Sequence, residues 1–536
     1  APIDRVGSGK TQEPAPAPGE TVEDTFSRYL FVSYDTTAHD GAGGYILDAG
    51  DYYFAIGDDC HDALNNVLAA KGATGMYDQF GNPVAGDAAK TSLYTLDALD
   101  DQSYLQSVHT GAEVHNLFDY VDANYYYDDD PVTYLSRSDW QGTWSDGVEL
   151  SNNEAMEAAL VTANYATSSS TTPLDDVPYG VDAGLTLYDM IGVDYDDPQW
   201  DTFVQQLSLT DLGVITGDNF GQAVIESIGK PATVTSEGSE GISMNYQYGD
   251  GGIATGYASN NVTAATWNEE IQRSYGNFVG EDALYAGVHI IHGPGADTHR
   301  TPYCGRFAEY FSEDSVISYN VGETIITAMS NKGLINNYKH FFLNEQEYDR
   351  QGIATFANEQ SLREIYLRAY EGGVTCEGSY GMMTSYNRIG PVYMAADPVV
   401  QFDLLREEWG YKGYTLTDYI AEGEYSVTAD CLINGTNVFG GNDRSRTVMQ
   451  LISRNNDGDM LLAAQQSAKN LCYAYVHSSM VNSLSPTATY TEFVAWWQYV
   501  IMGLQIGFGV LAVAAAAVYV KSAYFPSKKQ KGGVNQ

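Results

Sequence analysis

Three short polar strings hold the residues able to do chemistry in this chain: GPGADTHRTPYCGRFAEYFSED (293–314), KHFFLNEQEYDR (339–350) and YTLTDY (414–419). Each sits at the end of an apolar run with the composition of a β-strand. Asp418 closes the run GYTLT. A carboxylate at the C-terminal end of a barrel strand points into the cleft, where an ionised oxygen attacks an electrophilic carbon. The competing reading of Asp418 is a helix N-cap. Lys339 and His340 end another strand. Adjacent strand residues point to opposite faces, so both reach one ligand only if the strand finishes there. As paired donors to ligand hydroxyls they strengthen when charge develops in a transition state. As an ordinary loop pair, the cation is solvated and the imidazole is satisfied by backbone. Arg300 and Arg306 flank TPYCG. Their planar forks suit ligand hydroxyls or the nearby carboxylates of Glu309 and Glu313. The ion-pair role suits Arg300 better than Arg306.

The elements that must position these groups alternate along the chain. WDTFVQQLSLTDLGVIT (200–216) is helical in pattern; ALYAGVHIIHGPG (283–295), NNYKHFF (336–342), GSYGMMTSYN (378–387) and GYTLTDY (413–419) read as strands. NEQSLREIYLRAYEGGV (358–374) and DPVVQFDLLREEWG (397–410) read as amphipathic helices between them, the second opening on Asp-Pro. Such alternation predicts a parallel α/β sheet or barrel. Ahead of it, residues 1–34 combine a Pro/Ala-rich turn with the alternating TVEDTFSRYLFVSY, the pattern of a β-hairpin arm. Residues 35–135 are β-rich, with strand-like GGYILDAGDYYFAIG (43–57) and one helix, HDALNNVLAAKG (61–72), ending on a glycine suited to a cap. Residues 136–195 are polar and irregular, as in a linker.

Composition narrows the partners. Of 536 residues, 70 are acidic and 26 basic, giving a formal charge of −44. A field of that sign repels nucleic acid, so no nucleic-acid partner is expected. The 42 tyrosines belong mostly to β-sheet surfaces, a minority being free to stack on sugar rings. Five scattered cysteines and nine dispersed histidines show no metal-ligand spacing, and no metal is expected. Phe493–Val520 is almost continuously apolar and is long enough to span a bilayer. Trp496, Trp497 and Tyr499 sit at one end; Lys521, Lys528, Lys529 and Lys531 follow the other. The positive-inside rule then puts the Lys-rich tail, 521–536, in the cytoplasm and the acidic body outside the cell membrane.

The strings GPGADTHRTPYCGRFAEYFSED, KHFFLNEQE, LREIYLRAYE, MMTSYNR, LLREEWGYKGYTLTDY and NGTNVFGG, in this order, resemble the barrel domain of glycoside hydrolase family 3, of the bacterial β-glucosidase type, over residues 196–480. The resemblance implies an α/β fold: a (β/α)8-like barrel preceded by a β-rich segment and followed by one transmembrane helix (493–520). It implies a retaining β-glucosidase or β-xylosidase without cofactor, acting on a carbohydrate. Asp418 would be the nucleophile. Lys339, His340 and Arg306 would grip sugar hydroxyls, and Tyr386 would sit beside the nucleophile. The family's early Asp-Gly-Pro-x-Gly turn reads Glu237-Gly238-Ser239-Glu240-Gly241 here, so Glu237 takes the acidic substrate-binding position with one more methylene. The family's acid/base is a Glu on a sandwich domain, which this sequence does not match; Glu345, Glu347, Glu422 and Glu424 do not fit its pattern. Residues 1–34 resemble the end of a fibronectin type III-like module, which implies reversed domain order, with the sandwich partner upstream. The alternative is a catalytically silent cell-surface carbohydrate-binding protein on a degenerate barrel; a purely structural surface module would not need this set of polar strand ends.

Overall fold

Six parallel strands, joined in chain order through helices, carry the three chemical strings. The structure, a computed structural model, describes residues 32–135, 149–161, 170–217, 222–243, 255–301, 304–420, 427–441, 443–485 and 496–524. The strands are β1 (Thr235–Glu237), β2 (Ile290–His292), β3 (Ile335–Phe341), β4 (Gly381–Thr384), β5 (Tyr414–Ile420) and β6 (Val438–Gly441). Each pairs in parallel with the next, so spatial order equals sequence order. That is the order of a (β/α) barrel. Among the described residues β1 and β6 do not pair, and what is seen is a six-stranded parallel sheet in barrel order.

Helix α1 (Glu269–Ala286) lies between β1 and β2, and α2 (Ser315–Ser330) between β2 and β3. The helical run Glu359–Ser361, Leu362–Tyr366 and α3 (Leu367–Thr375) joins β3 to β4, and Val399–Glu408 joins β4 to β5. After β6, Ser445–Asn455 and α4 (Gly458–Val476) follow. Both faces of the sheet are covered, as parallel sheets require. Met382 and Met383 are neighbours in sequence yet fall in different apolar clusters. One cluster contains Met383, Tyr414, Leu416 and Leu471; the other contains Met382, Tyr338, Phe341 and Ile325. Helix α2 approaches β3 closely where a side chain is absent. A Cβ on Gly322 of α2 would lie 2.5 Å from the Tyr338 hydroxyl, so only glycine fits there.

Several expected boundaries shift. In 283–295 the first residues finish α1, which Gly287 ends in the left-handed region (φ 69°) with its amide on Ala283 and Leu284 carbonyls; only Ile290–His292 is strand. The helix expected over 200–216 is two, Gln199–Gln205 and Leu209–Gly217. In 136–195 the described part holds a helix, Glu154–Val161, among turns.

In the leading segment, Gly50–Ala55 and Thr91–Leu96 form an antiparallel ribbon, and the expected helix runs Cys60–Ala70, with Asp59 accepting the Asp62 amide at its start. Most of the 1–34 arm lies outside the described residues; Ser33–Asp35 pairs with Gly44–Ile46. This segment is fastened to the helix after β3 by buried charge. Arg363, 2% exposed, binds Glu359 (2.7 Å) and Glu408 (2.8 Å) and donates to the His115 carbonyl (2.8 Å), while Glu359 accepts the Phe118 amide (2.6 Å).

Residues 487–536 form a separate unit. Its described part is one helix, Trp496–Tyr524, of 29 residues with none buried; an 18-residue stretch of it has mean hydropathy 2.1, so it is long and apolar enough to cross a bilayer. The helix runs a few residues beyond Val520, to Tyr524, and so includes Lys521.

Candidate active site

Asp418 lies near the C-terminal end of β5, and the strand continues through it to Ile420, so it is not a helix N-cap. Its Oδ1 accepts the Tyr419 amide (2.6 Å), and its Oδ2 lies 3.6 Å from His340 Nε2. Burial raises its carboxyl above the usual range; the Tyr419 amide and the cations of Arg350, Lys339 and Arg306 oppose that rise. Tyr386, buried after β4, donates to the Tyr419 carbonyl (2.5 Å). Burial, reinforced by the charge of Asp418, keeps its phenol protonated.

Lys339 and His340 end β3, buried at 5% and 2% exposure, so neither is a solvated loop residue. Both side chains reach the region of Asp418: the Lys339 charge acts on its carboxyl, and His340 Nε2 stands 3.6 Å from it. Lys339 Nζ lies 3.4 Å from Glu309 Oε2, and His340 faces Asp418. Burial, then Arg306 and Lys339, hold the His340 imidazole neutral. Its Nδ1 lies 3.0 Å from the Tyr310 hydroxyl, which leaves Nε2 for a ligand.

Arg306, expected to grip ligand hydroxyls, has a protein partner of its own. It grips Glu309 in a bidentate pair, Nε to Oε1 (2.8 Å) and Nη2 to Oε2 (2.9 Å). The cause is local: the short turn Phe307–Glu309 brings a carboxylate three residues on back against the guanidinium. Arg300, the better ion-pair candidate by sequence, instead lies over the Tyr366 ring, 5.8 Å from its centroid. Burial raises Glu309, but the Arg306 fork, Lys339 and the Ser239 hydroxyl more than offset it and bring it to about 2.

Glu237 ends β1 at the rim of the sheet. Burial raises its carboxyl; Lys339 opposes this, while Asp418 and Glu309 add to it, which places Glu237 within electrostatic reach of the same cluster. The turn after it needs glycine: Gly238 has φ 150°, and a Cβ there would overlap the Gly241 carbonyl.

The site therefore brings Glu237, Lys339, His340, Tyr386 and Asp418 together at strand ends, with Arg306 one ion pair removed. Sequence reasoning passed over Arg350, although it closes the second string. Its guanidinium lies 4.3 Å over the Tyr386 ring and pairs with Glu347 (3.2 Å). Glu347 is also 3.9 Å from Arg306, and Glu345 is buried, while Glu422 and Glu424 lie outside the described residues. Among the described residues no group of three His, Cys, Asp or Glu side chains is arranged to hold a metal ion. The arrangement places a carboxylate, a neutral imidazole and an ammonium around one small region, a set chemically able to combine nucleophilic attack with hydrogen-bond donation.

The chain is similar to several known proteins. Over 240 residues the chain is 28% identical to probable beta-glucosidase I of Emericella nidulans, covering 44% of this chain and 28% of that protein. It is 30% identical over 240 residues to exo-alpha-(1->6)-L-arabinopyranosidase of Bifidobacterium breve, covering 43% and 32%. The chain thus spans about a third or less of the length of these relatives. A solved beta-glucosidase from Paenibacillus barengoltzii shares the fold, with TM-score 0.57 and 21% identity over 85% of this chain and 48% of that one. The family description that matches is the glycosyl hydrolase family 3 N terminal domain, over residues 220–433. The segment that holds every residue of the candidate site thus belongs to glycosyl hydrolase family 3.

Proposed function

We propose that this chain carries the nucleophile and sugar-gripping half of a retaining β-glycosidase that removes terminal β-linked glucose or xylose. The carrying observation is the meeting of Asp418 with His340 Nε2, 3.6 Å apart, at the ends of β5 and β3. An Asp418 oxygen attacks the anomeric carbon and forms the glycosyl–enzyme bond as the bond to the leaving oxygen breaks. A general acid supplies that oxygen with its proton, and water, deprotonated by the same group, then releases the sugar. Lys339, His340 and Glu237 hold the ring hydroxyls, and Tyr386 borders the nucleophile. We assign the general acid to a Glu of a sandwich domain upstream in the same protein, because retaining chemistry needs a second carboxyl ~5–5.5 Å from the first. Glu347, the exposed-side candidate, is engaged by Arg350 and Arg306.

The relatives' names support a glycosidase, and the arabinopyranosidase among them widens the sugar to pentopyranoses. The helix Trp496–Tyr524 supports a membrane anchor, with the catalytic body outside the cell and the lysine tail in the cytoplasm. No cofactor takes part in the scheme.

The test is covalent trapping. An activated 2-fluoro-glucoside reacts with the nucleophile without demanding the general acid, and peptide mass spectrometry should find the adduct on Asp418. Because burial raises that carboxyl, the trapping rate should fall, as pH drops, at a pH above that for an ordinary aspartate. Sugar binding without an adduct would instead establish a silent carbohydrate binder.

A further inference from the structure

Directly behind His340 lie two buried carboxyls that the scheme above does not use. Asp297 is fully buried and Glu345 is 6% exposed. Asp297 Oδ2 accepts the His340 amide (3.1 Å) and its Oδ1 accepts the Asn344 amide (3.1 Å), so one carboxylate spans both ends of the 340–344 turn. Tyr310 closes the same turn through side chains. Its hydroxyl lies 3.0 Å from His340 Nδ1 and accepts from Asn344 Nδ2 (3.4 Å). A hydroxyl that accepts from Asn344 is free to donate to Nδ1, which puts the ring proton of the neutral imidazole on Nε2, facing Asp418. Tyr370 donates to the His340 carbonyl (3.0 Å) and completes the cage.

We propose that Asp297 is a positioning residue which, by fixing the His340 and Asn344 amides, sets the direction in which His340 presents Nε2–H to the sugar and to Asp418. The inference rests on the reading of His340 and Asp418 given above; Asp297 itself touches neither the sugar nor the reacting atoms.

Glu345 makes this role visible in solution. Burial raises Asp297, against the amides of His340 and Asn344 and the Tyr370 hydroxyl, and burial and Asp297 together raise Glu345 well above its ordinary value. The groups facing the pair are the Arg306 and Arg300 guanidinia, the Tyr310, Tyr338, Tyr366 and Tyr370 phenols, the Cys304 thiol and the neutral His340. As pH rises, the last proton leaves the pair, and two like charges face each other in a dry site. Repulsion then weakens the hold on the turn, and the reach of His340 is lost on the alkaline side.

Trapping by the activated 2-fluoro-glucoside, followed against pH, tests this on the full chain. Glu345→Gln keeps the size of the side chain and removes the second charge. Its trapping rate at acid-to-neutral pH should match wild type, while its alkaline limb moves up by about one pH unit or more. Asp297→Ala should slow trapping on the order of tenfold to a hundredfold, and Asp297→Asn, which keeps one acceptor, should restore part of the rate. A Glu345→Gln profile that superposes on wild type overturns the proposal, as does an Asp297→Ala rate equal to wild type. If Asp297→Ala does not fold, the Glu345→Gln profile decides alone. If wild type gives no adduct, the glycosidase reading fails, and crystal structures of wild type and Glu345→Gln on the alkaline side decide the inference instead. His340 turned from Asp418 in wild type alone supports it; His340 unmoved in both overturns it.

Discussion

Glu309 ties together residues far apart in sequence: the Arg306 fork, Lys339 Nζ at 3.4 Å and the Ser239 hydroxyl at 3.2 Å all converge on it. Its carboxyl titrates at about 2 in the fold against an ordinary 4.5. A depressed carboxylate stabilises the fold fully above its unfolded value and loses that contribution as pH falls toward the folded one. Glu309→Gln should therefore cost about 1–3 kcal/mol at neutral pH, since it leaves partly buried cations without their anion. In urea titrations the gap between wild type and variant should close between 4.5 and about 2. An equal gap at neutral pH and at the bottom of that window would contradict the assignment. At this scale the sequence showed which strand ends carry polar side chains and was a poor guide to how those side chains pair. Asp418, Lys339 and His340 announce themselves by standing at the ends of apolar runs. The engagement of Arg306 depends on the turn Phe307–Glu309, and nothing in the residue types distinguishes a fork turned inward to Glu309 from one turned to ligand.

Among the elements, the helix after β3 does two jobs, covering the sheet and holding the leading segment. Arg363 joins them, with its guanidinium between Glu359 and Glu408 and 4.7 Å from the Tyr34 ring centroid. Arg363→Met keeps the packing volume but leaves two carboxylates buried without a cation. The expected loss is about 3–5 kcal/mol. Limited proteolysis should show new cleavage around residues 33–35 and 115–118 before the sheet itself opens; unchanged protection there would show that this cluster does not fasten the segment. The strands were legible because β-rich apolar runs end in polar motifs. Helices α1 and α2 were not, and the reason is glycine. Gly276 in α1 and Gly322 in α2 read as helix-weakening residues. Yet a Cβ on Gly276 would stand 2.7 Å from Ala328 of α2, so close helix packing requires what local propensity disfavours. The strand expected over 283–295 starts only at Ile290, for the opposite reason. Its leading residues are good helix formers, and Gly287, not the apolar run, marks the boundary.

For the whole molecule, the apolar helix Trp496–Tyr524 belongs to a unit separate from the glycosidase-like body. In detergent phase separation the full chain should enter the detergent phase. A chain ending at Pro486 should stay in the aqueous phase with an unchanged far-ultraviolet spectrum in its sheet region. Retention of the shortened chain in detergent would assign membrane affinity to the body instead. This span was legible because a long uncharged run needs no tertiary context. The larger architecture was legible only as alternation, which cannot say how far a parallel sheet curls. The charges at its rim can. Glu237 stands on β1 and Asp418 on β5, four strand spacings apart, which in a flat sheet is ~19 Å. Asp418 nevertheless raises the Glu237 carboxyl, so the two strand ends lie within electrostatic reach of each other. The opening between them works as a caliper. A substitution that changes the twist of these strands should therefore move Glu237 against Asp418 without altering either group.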